Sequence, residues 1–150
     1  MPNLAFSRSG HCFVLVQNQK TATDEEWGRW VAFVGKGGRA SGEHIRVLIL
    51  SKGGSPTPKQ RRLIHDLMPK MGGGTFTAIV LSSFIGRTVV AAMSLFNDKV
   101  RAFAPDRLSD ALDYLAIPTP LRPELESVIA GLHETLSLPF NASEPRSVSS

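Results

Sequence analysis

The residues best suited to chemistry lie in SKGGSPTPKQRR, Ser51 to Arg62, a turn that follows an apolar run and opens a helix. Free backbone N–H groups at Gly53-Gly54-Ser55, ahead of a helix N-terminus, suit a phosphate or another anion. Against this, Pro56 and Pro58 each remove a donor and the Walker spacing is absent, so a tight turn with a helix cap is the competing reading. Thr57 has two compatible uses. As an N-cap it satisfies an orphan N–H, worth about 1 kcal/mol; as a phosphoacceptor it would set about two negative charges at a helix start. Arg87, with Lys52, Lys59 and Arg62, could line a shallow basic pocket for an acidic partner or a phosphorylated head group. Otherwise Arg87 is a solvated cation or pairs with an acid such as Asp66.

Other chemistry finds little footing. There is no HExxH, GxSxG or paired-cysteine motif. His65 and Asp66 are adjacent on a helix and point in different directions, which argues against a catalytic pair. His11, His44 and His133 are isolated in sequence, and Gly35-Lys36-Gly37-Gly38 follows a helix rather than preceding one. Cys12 is the one cysteine, inside CFVLV, and reads as a small buried hydrophobe. The expectation is no enzyme, no metal and no cofactor.

With 150 residues and 42% hydrophobic content the chain is long enough for one domain with a real core. Its net charge of +4 is spread out except at Lys59, Arg61 and Arg62. Without a basic stripe interleaved with aromatics, nucleic acid is not an expected partner. The N-terminus lacks an apolar stretch of signal-peptide length and no run approaches a membrane span, so a cytoplasmic protein is expected.

The elements that must position these residues follow from periodicity. Leu4–Ser7 and Cys12–Gln17 read as a hairpin turning at Ser9-Gly10. Thr23 caps a helix with Glu26 at the capping-box position and Asp24, Glu25 and Glu26 in its first turn. Trp27, Trp30, Val31 and Val34 form its core stripe, more readily core than a binding platform, and it is expected to stop at Gly35, Gly37 and Gly38. Ile45–Leu50 is the next strand. Thr57, Pro58 and Gln60 start a second helix to about Met71, burying Leu63, Ile64, Leu67, Met68 and Met71. Its interior Pro69 would kink or shorten the last turn.

Phe76–Leu81 is an apolar run of the kind a buried parallel sheet uses. Ser82 or Ser83 then caps a third helix with Ile85, Val89, Ala92, Met93 and Phe96 on one face, and Val100–Ala104 is the last strand. Asp106 can cap a short helix carrying Leu108, Ala111, Leu112 and Leu115. Beyond Pro118, Pro120 and Pro123, a fifth helix, about 121–138, carries Leu125, Val128, Ile129 and Leu132. The expected fold is α/β: a mixed, mainly parallel sheet of about five strands with helices over it, in one domain spanning 1–138. The polar, serine-rich stretch 139–150 is expected to be a disordered tail.

This order, with TDEEW (Thr23–Trp27), GGSPTPKQR (Gly53–Arg61), SSFIGRTVVAAMSLFN (Ser82–Asn97) and RAFAPDRLSDALDYLAIP (Arg101–Pro118), resembles the STAS domain of bacterial anti-sigma-factor antagonists. It is most similar to the branch grouped with the lipid-binding CRAL-TRIO fold. The resemblance runs to about Pro118, so the fifth helix is an addition to it. It implies a regulatory domain in a bacterial signalling pathway, with a phosphorylatable Ser or Thr after the third strand. In that family an Asp precedes the Ser-Ser or Ser-Thr and Gly; here the equivalent turn, SKGGSPT, has no Asp, and Ser55 and Thr57 are the candidate phosphoacceptors.

The expected function is therefore non-catalytic binding of a protein partner. Its surface is Lys52, Gly53, Gly54, Ser55, Thr57, Lys59 and Arg62, with Ser83 and Arg87 from the third helix. The alternative is a carrier of a lipid or small anionic ligand. It would need a pocket between the sheet and the second and third helices, with Arg87 or Lys52 at its mouth. The fifth helix either packs back as a cover or offers its apolar stripe to a second copy in a dimer.

Overall fold

Each of the five apolar runs expected as a strand is one, and together they make a single sheet. The computed structural model describes residues 2–41, 45–54, 56–67, 75–82, 86–87 and 99–140. Its strands are β1 (Leu4–Ser9), β2 (Cys12–Gln17), β3 (Arg46–Ser51), β4 (Phe76–Leu81) and β5 (Val100–Phe103). Its helices are α1 (Asp24–Ser41), α2 (Pro58–Leu67), α3 (Leu108–Tyr114) and α4 (Arg122–Thr135), with short 3-10 turns at Pro105–Arg107 and Thr119–Leu121. The expected strand ends at Ser7, Ile45, Leu50 and Ala104 move by one or two residues. The helix expected over 83–96 lies outside the described residues except for Gly86 and Arg87, which are helical. The expected continuation of α2 to Met71, with Met68 and Pro69, and the tail over 141–150 also lie outside them.

The strand order is β1-β2-β3-β4-β5, antiparallel only between β1 and β2. Right-handed crossovers that step one strand at a time in one direction keep their helices on one face. Accordingly α1 and α2 touch each other, while α3 and α4 pack on the opposite face. The period-two alternation of the strands feeds both layers. Phe13, Leu15 and Val47 meet Trp27, Trp30 and Val34 of α1. Val14, Val16, Leu48, Leu50, Ala78 and Val80 meet Leu108, Ala111, Leu112 and Leu115 of α3 and Leu125, Ile129 and Leu132 of α4. The stripe of α4 is thus buried in the chain's own core, across β1 and β2. Cys12 is 3% exposed; burial pushes its thiol up to about 12, with nearby Arg46 pulling the other way, so it stays a neutral core side chain.

Three expectations need correction. Helix α1 does not stop at Gly35–Gly38 but runs on to Ser41. A Cβ on Gly37 would overlap the Phe13 ring, so a glycine there lets the helix ride close over β2 rather than ending it. Leu63 is not buried: it is 38% exposed, while the polar Gln60 turns inward; the side chains of Ile64 and Leu67, also expected in the core, lie outside the described residues. Asp106 makes no cap; it lies inside the 3-10 turn, and α3 starts from Arg107 with no side-chain cap bond.

Helix α3 ends in a Schellman closure. Ala116 is left-handed (φ 56), its N–H donates to the Asp113 carbonyl at 3.0 Å, and the Ile117 N–H reaches Leu112 at 3.0 Å. Arg46 adds a cation at this helix end, its Nε donating to the Leu115 carbonyl at 2.7 Å. A Cβ is disfavoured at positive φ, so Ala116→Gly is expected to stabilise the protein by about 0.5–1 kcal/mol. An unchanged or lower urea midpoint in that variant would contradict this account.

Candidate functional site at the carboxyl edge of the sheet

The parallel strands β2, β3 and β4 finish in register, with Gln17 paired to Ser51 and Ser51 to Leu81. Ligand and partner sites of open α/β sheets form outside such strand ends. Two of these residues are polar and buried, Gln17 at 1% and Ser51 at 6% exposure, and each organises a loop. Ser51 Oγ donates to the Gly54 carbonyl at 2.6 Å and accepts the Gly53 N–H at 3.1 Å. Lys52 N–H donates to the Gln17 carbonyl and Gly54 N–H to the Asn18 carbonyl, both at 3.0 Å. Gln17 Nε2 donates to the Lys20 carbonyl at 3.3 Å. The loop after β3 is therefore stitched to the loop after β2.

Glycine is required twice in this turn. Gly53 has φ +135, which an L side chain rarely adopts. Gly54 is wedged so closely that a Cβ would lie 2.6 Å from Gln17 Nε2 and 2.7 Å from the Asn18 carbonyl oxygen, and closer still to that of Lys20. The same packing consumes the donors an anion would need, since the Gly53 and Gly54 N–H groups already serve Ser51 and Asn18. Two of the three N–H groups of the expected anion cradle are thus engaged, as a tight turn requires; the third, that of Ser55, lies outside the described residues.

The start of α2 carries the expected capping box. Thr57 Oγ1 accepts the Gln60 N–H at 3.2 Å, and Gln60 Oε1 accepts the Thr57 N–H at 3.0 Å. Gln60 does more than cap. Its Nε2 donates to the Ala22 carbonyl and to Asp24 Oδ1, both at 3.0 Å, and so docks α2 on the start of α1. Lys59 Nζ adds an exposed ion pair to Asp24 Oδ2 at 3.2 Å. The Gln60 hydrogen bond and the Lys59 hydrogen bond and charge hold the Asp24 carboxyl below its usual range. With Gln60 facing inward, Lys59, Arg61, Arg62 and Leu63 face solvent.

These contacts divide the expected surface. Lys52, Gly53, Gly54 and Thr57 belong to one loop, and Lys59 and Arg62 continue it along the exposed side of α2. Lys52, just past β3, is half-buried, and its charge acts on His133 of α4. Lys59 sits on the α1 face against Asp24. Lys59 is thus tied to the start of α1, while Lys52 begins the loop that follows β3. Arg87, half-buried, donates from Nη1 to the Leu81 carbonyl at 2.7 Å, bracing the end of β4. Ser55 and Ser83 lie outside the described residues, as does most of the helix that would wall the carrier's pocket.

Comparison with known proteins returns no match. No family model, no curated protein and no solved structure matches the chain. Among the described residues, no group of three His, Cys, Asp or Glu side chains could hold a metal ion. No helix among them is long and apolar enough to cross a membrane.

Sequence reasoning missed Gln17, Asn18 and the inward role of Gln60. A signal for the first was present: a polar residue closes the apolar run of β2 in VLVQ, as Ser51 closes that of β3 in LILS. A polar residue at the end of a buried strand is well placed to order the loop that follows, because its side chain must find backbone partners there.

Proposed function

We propose that the chain is a STAS-like regulatory domain without catalytic activity that binds a protein partner in a bacterial signalling pathway. The partner would dock on the loop 52–57 and the outer side of α2. The observation that supports this reading most is the internal satisfaction of that loop. The N–H groups of Lys52, Gly53 and Gly54 and the Gly54 carbonyl are held by Gln17, Ser51 and Asn18, which favours a shaped surface over a reactive one. Gly53, Lys59, Arg61, Arg62 and Leu63 stand outward beside it. One apolar and several basic side chains exposed beside a hydrogen-bonded turn suit a partner with acidic and apolar groups, and an ordered turn lowers the entropy cost of binding.

Control by phosphorylation belongs to the same proposal. A phosphate on Thr57 would sit where Oγ1 now accepts the Gln60 N–H, adding charge at the junction of loop and helix. The test is affinity capture from native lysate with wild type, Arg62→Glu and Thr57→Glu, with bound proteins identified by mass spectrometry. A partner held by wild type is expected to fall at least tenfold on Arg62→Glu, a loss of about 1.4 kcal/mol or more. If every captured protein binds wild type and Arg62→Glu equally, the surface is wrong; if Thr57→Glu leaves partner affinity unchanged, the phosphoswitch is.

A further inference from the structure

The end of α4 holds a buried imidazole inside a clasp. His133 is 1% exposed. Its Nδ1 lies 2.8 Å from the Ile129 carbonyl oxygen, so that nitrogen carries the hydrogen and Nε2 is the atom left to accept a proton. The ring stacks on Phe140 at 4.6 Å between centroids, with 24° between planes. Between the two residues the chain reverses through Ser137, left-handed at φ 57. Ser137 N–H donates to the Glu134 carbonyl at 2.9 Å and Leu138 N–H to the His133 carbonyl at 2.8 Å, a second Schellman closure. One residue therefore supplies both the ring under Phe140 and the carbonyl that fastens Leu138.

The charges around this ring favour its neutral form. Among the described residues, Lys52, just past β3, is a charged group that acts on it. From β1 and β2 the side turned to α4 presents Ala5, Val14, Val16 and the neutral Cys12, while Arg8 of β1 lies over Phe13 on the opposite face. Burial first, and then the Lys52 charge, hold His133 below its usual 6.5, against the Ile129 hydrogen bond that raises it. Because the folded value is depressed, the stability this site contributes is complete above the unfolded value and is lost as pH falls below it. Stacking of a cationic ring on Phe140 would offset part of that loss.

We propose that protonation of His133 opens this clasp: with a proton from solvent on Nε2, the cationic ring leaves its buried place, and the stack on Phe140 and the Leu138 bond are lost together. The clasp is thereby an acid-sensitive fastening of the segment after α4. The test follows the Leu138 amide by hydrogen exchange, as a protection factor corrected for intrinsic rate, and the His133 ring by NMR, in the full chain from pH 7.5 to 5. Protection at Leu138 is expected to fall at least tenfold in step with ring titration. His133→Gln should show a flat profile. Lys52→Met, which removes the repelling charge, should move the midpoint to higher pH. Titration of His133 with no change at Leu138 overturns the proposal, as does an acid-induced loss of protection that persists in His133→Gln. Should that variant fail to fold, an unmoved midpoint in Lys52→Met also overturns it.

Discussion

Gly54→Ala is expected to lower stability by about 2–3 kcal/mol, the upper part of the range for forcing atoms into a filled site. Two of the three atoms a new Cβ would meet are the backbone carbonyl oxygens of Lys20 and Asn18, which cannot swing aside as a side-chain end can. Relief must come from moving the loop after β3 away from the loop after β2, and that breaks the Gly54–Asn18 hydrogen bond. The same substitution should have the opposite sign elsewhere. Gly28 in α1 and Gly131 in α4 have open space where the Cβ would go, so alanine should add about 0.5–1 kcal/mol through helix propensity. Urea denaturation of the three variants, read as midpoint at constant slope, checks the contrast. Equal effects at Gly54 and Gly28 would mean that the wedge at the strand ends is not real.

Glu26→Gln is expected to cost about 3 kcal/mol at neutral pH. The Glu26 carboxylate gathers the start of the chain. Oε2 accepts the N–H groups of Asn3 at 2.7 Å and Leu4 at 3.2 Å. Oε1 accepts Thr23 N–H at 3.0 Å, Thr23 Oγ1 at 3.3 Å and Asn3 Nδ2 at 3.2 Å. Burial alone would raise its pKa, but the hydrogen bonds from Thr23, Asn3 and Leu4 outweigh it and hold the carboxyl at about 2, against the usual 4.5. A depressed carboxylate contributes its full stability above the unfolded value and loses it as pH falls from about 4.5 toward 2. Wild type should therefore lose about 3 kcal/mol more than Glu26→Gln between neutral pH and pH 2, and the two should converge in acid. Parallel pH profiles would show that Glu26 is not the clamp that joins β1 to α1.

Much of this was legible because it is local. The runs CFVLV, RVLIL and FTAIVL announce buried strands, and TDEE and TPKQ announce capped helices through contacts only three residues apart. What stayed hidden depends on which elements meet. Gly35, Gly37 and Gly38 read as a helix stop because nothing in the sequence says that Phe13 lies beneath Gly37. The periodicity of α2 alone places Leu63 in its apolar stripe. The docking of Gln60 on Ala22 and Asp24 sets the rotation of that helix instead.

The return of α4 across β1 and β2 also fixes a timetable for synthesis. The side of the hairpin carrying Val14 and Val16 is made first, yet its cover, from Leu125 to Leu136, is made last. At translation rates of about 5–20 residues per second, the roughly 120 intervening residues keep that surface open on the ribosome for about 6–24 s. The nascent chain must carry that apolar sheet face while β3, β4, β5 and α3 are made, until α4 closes it.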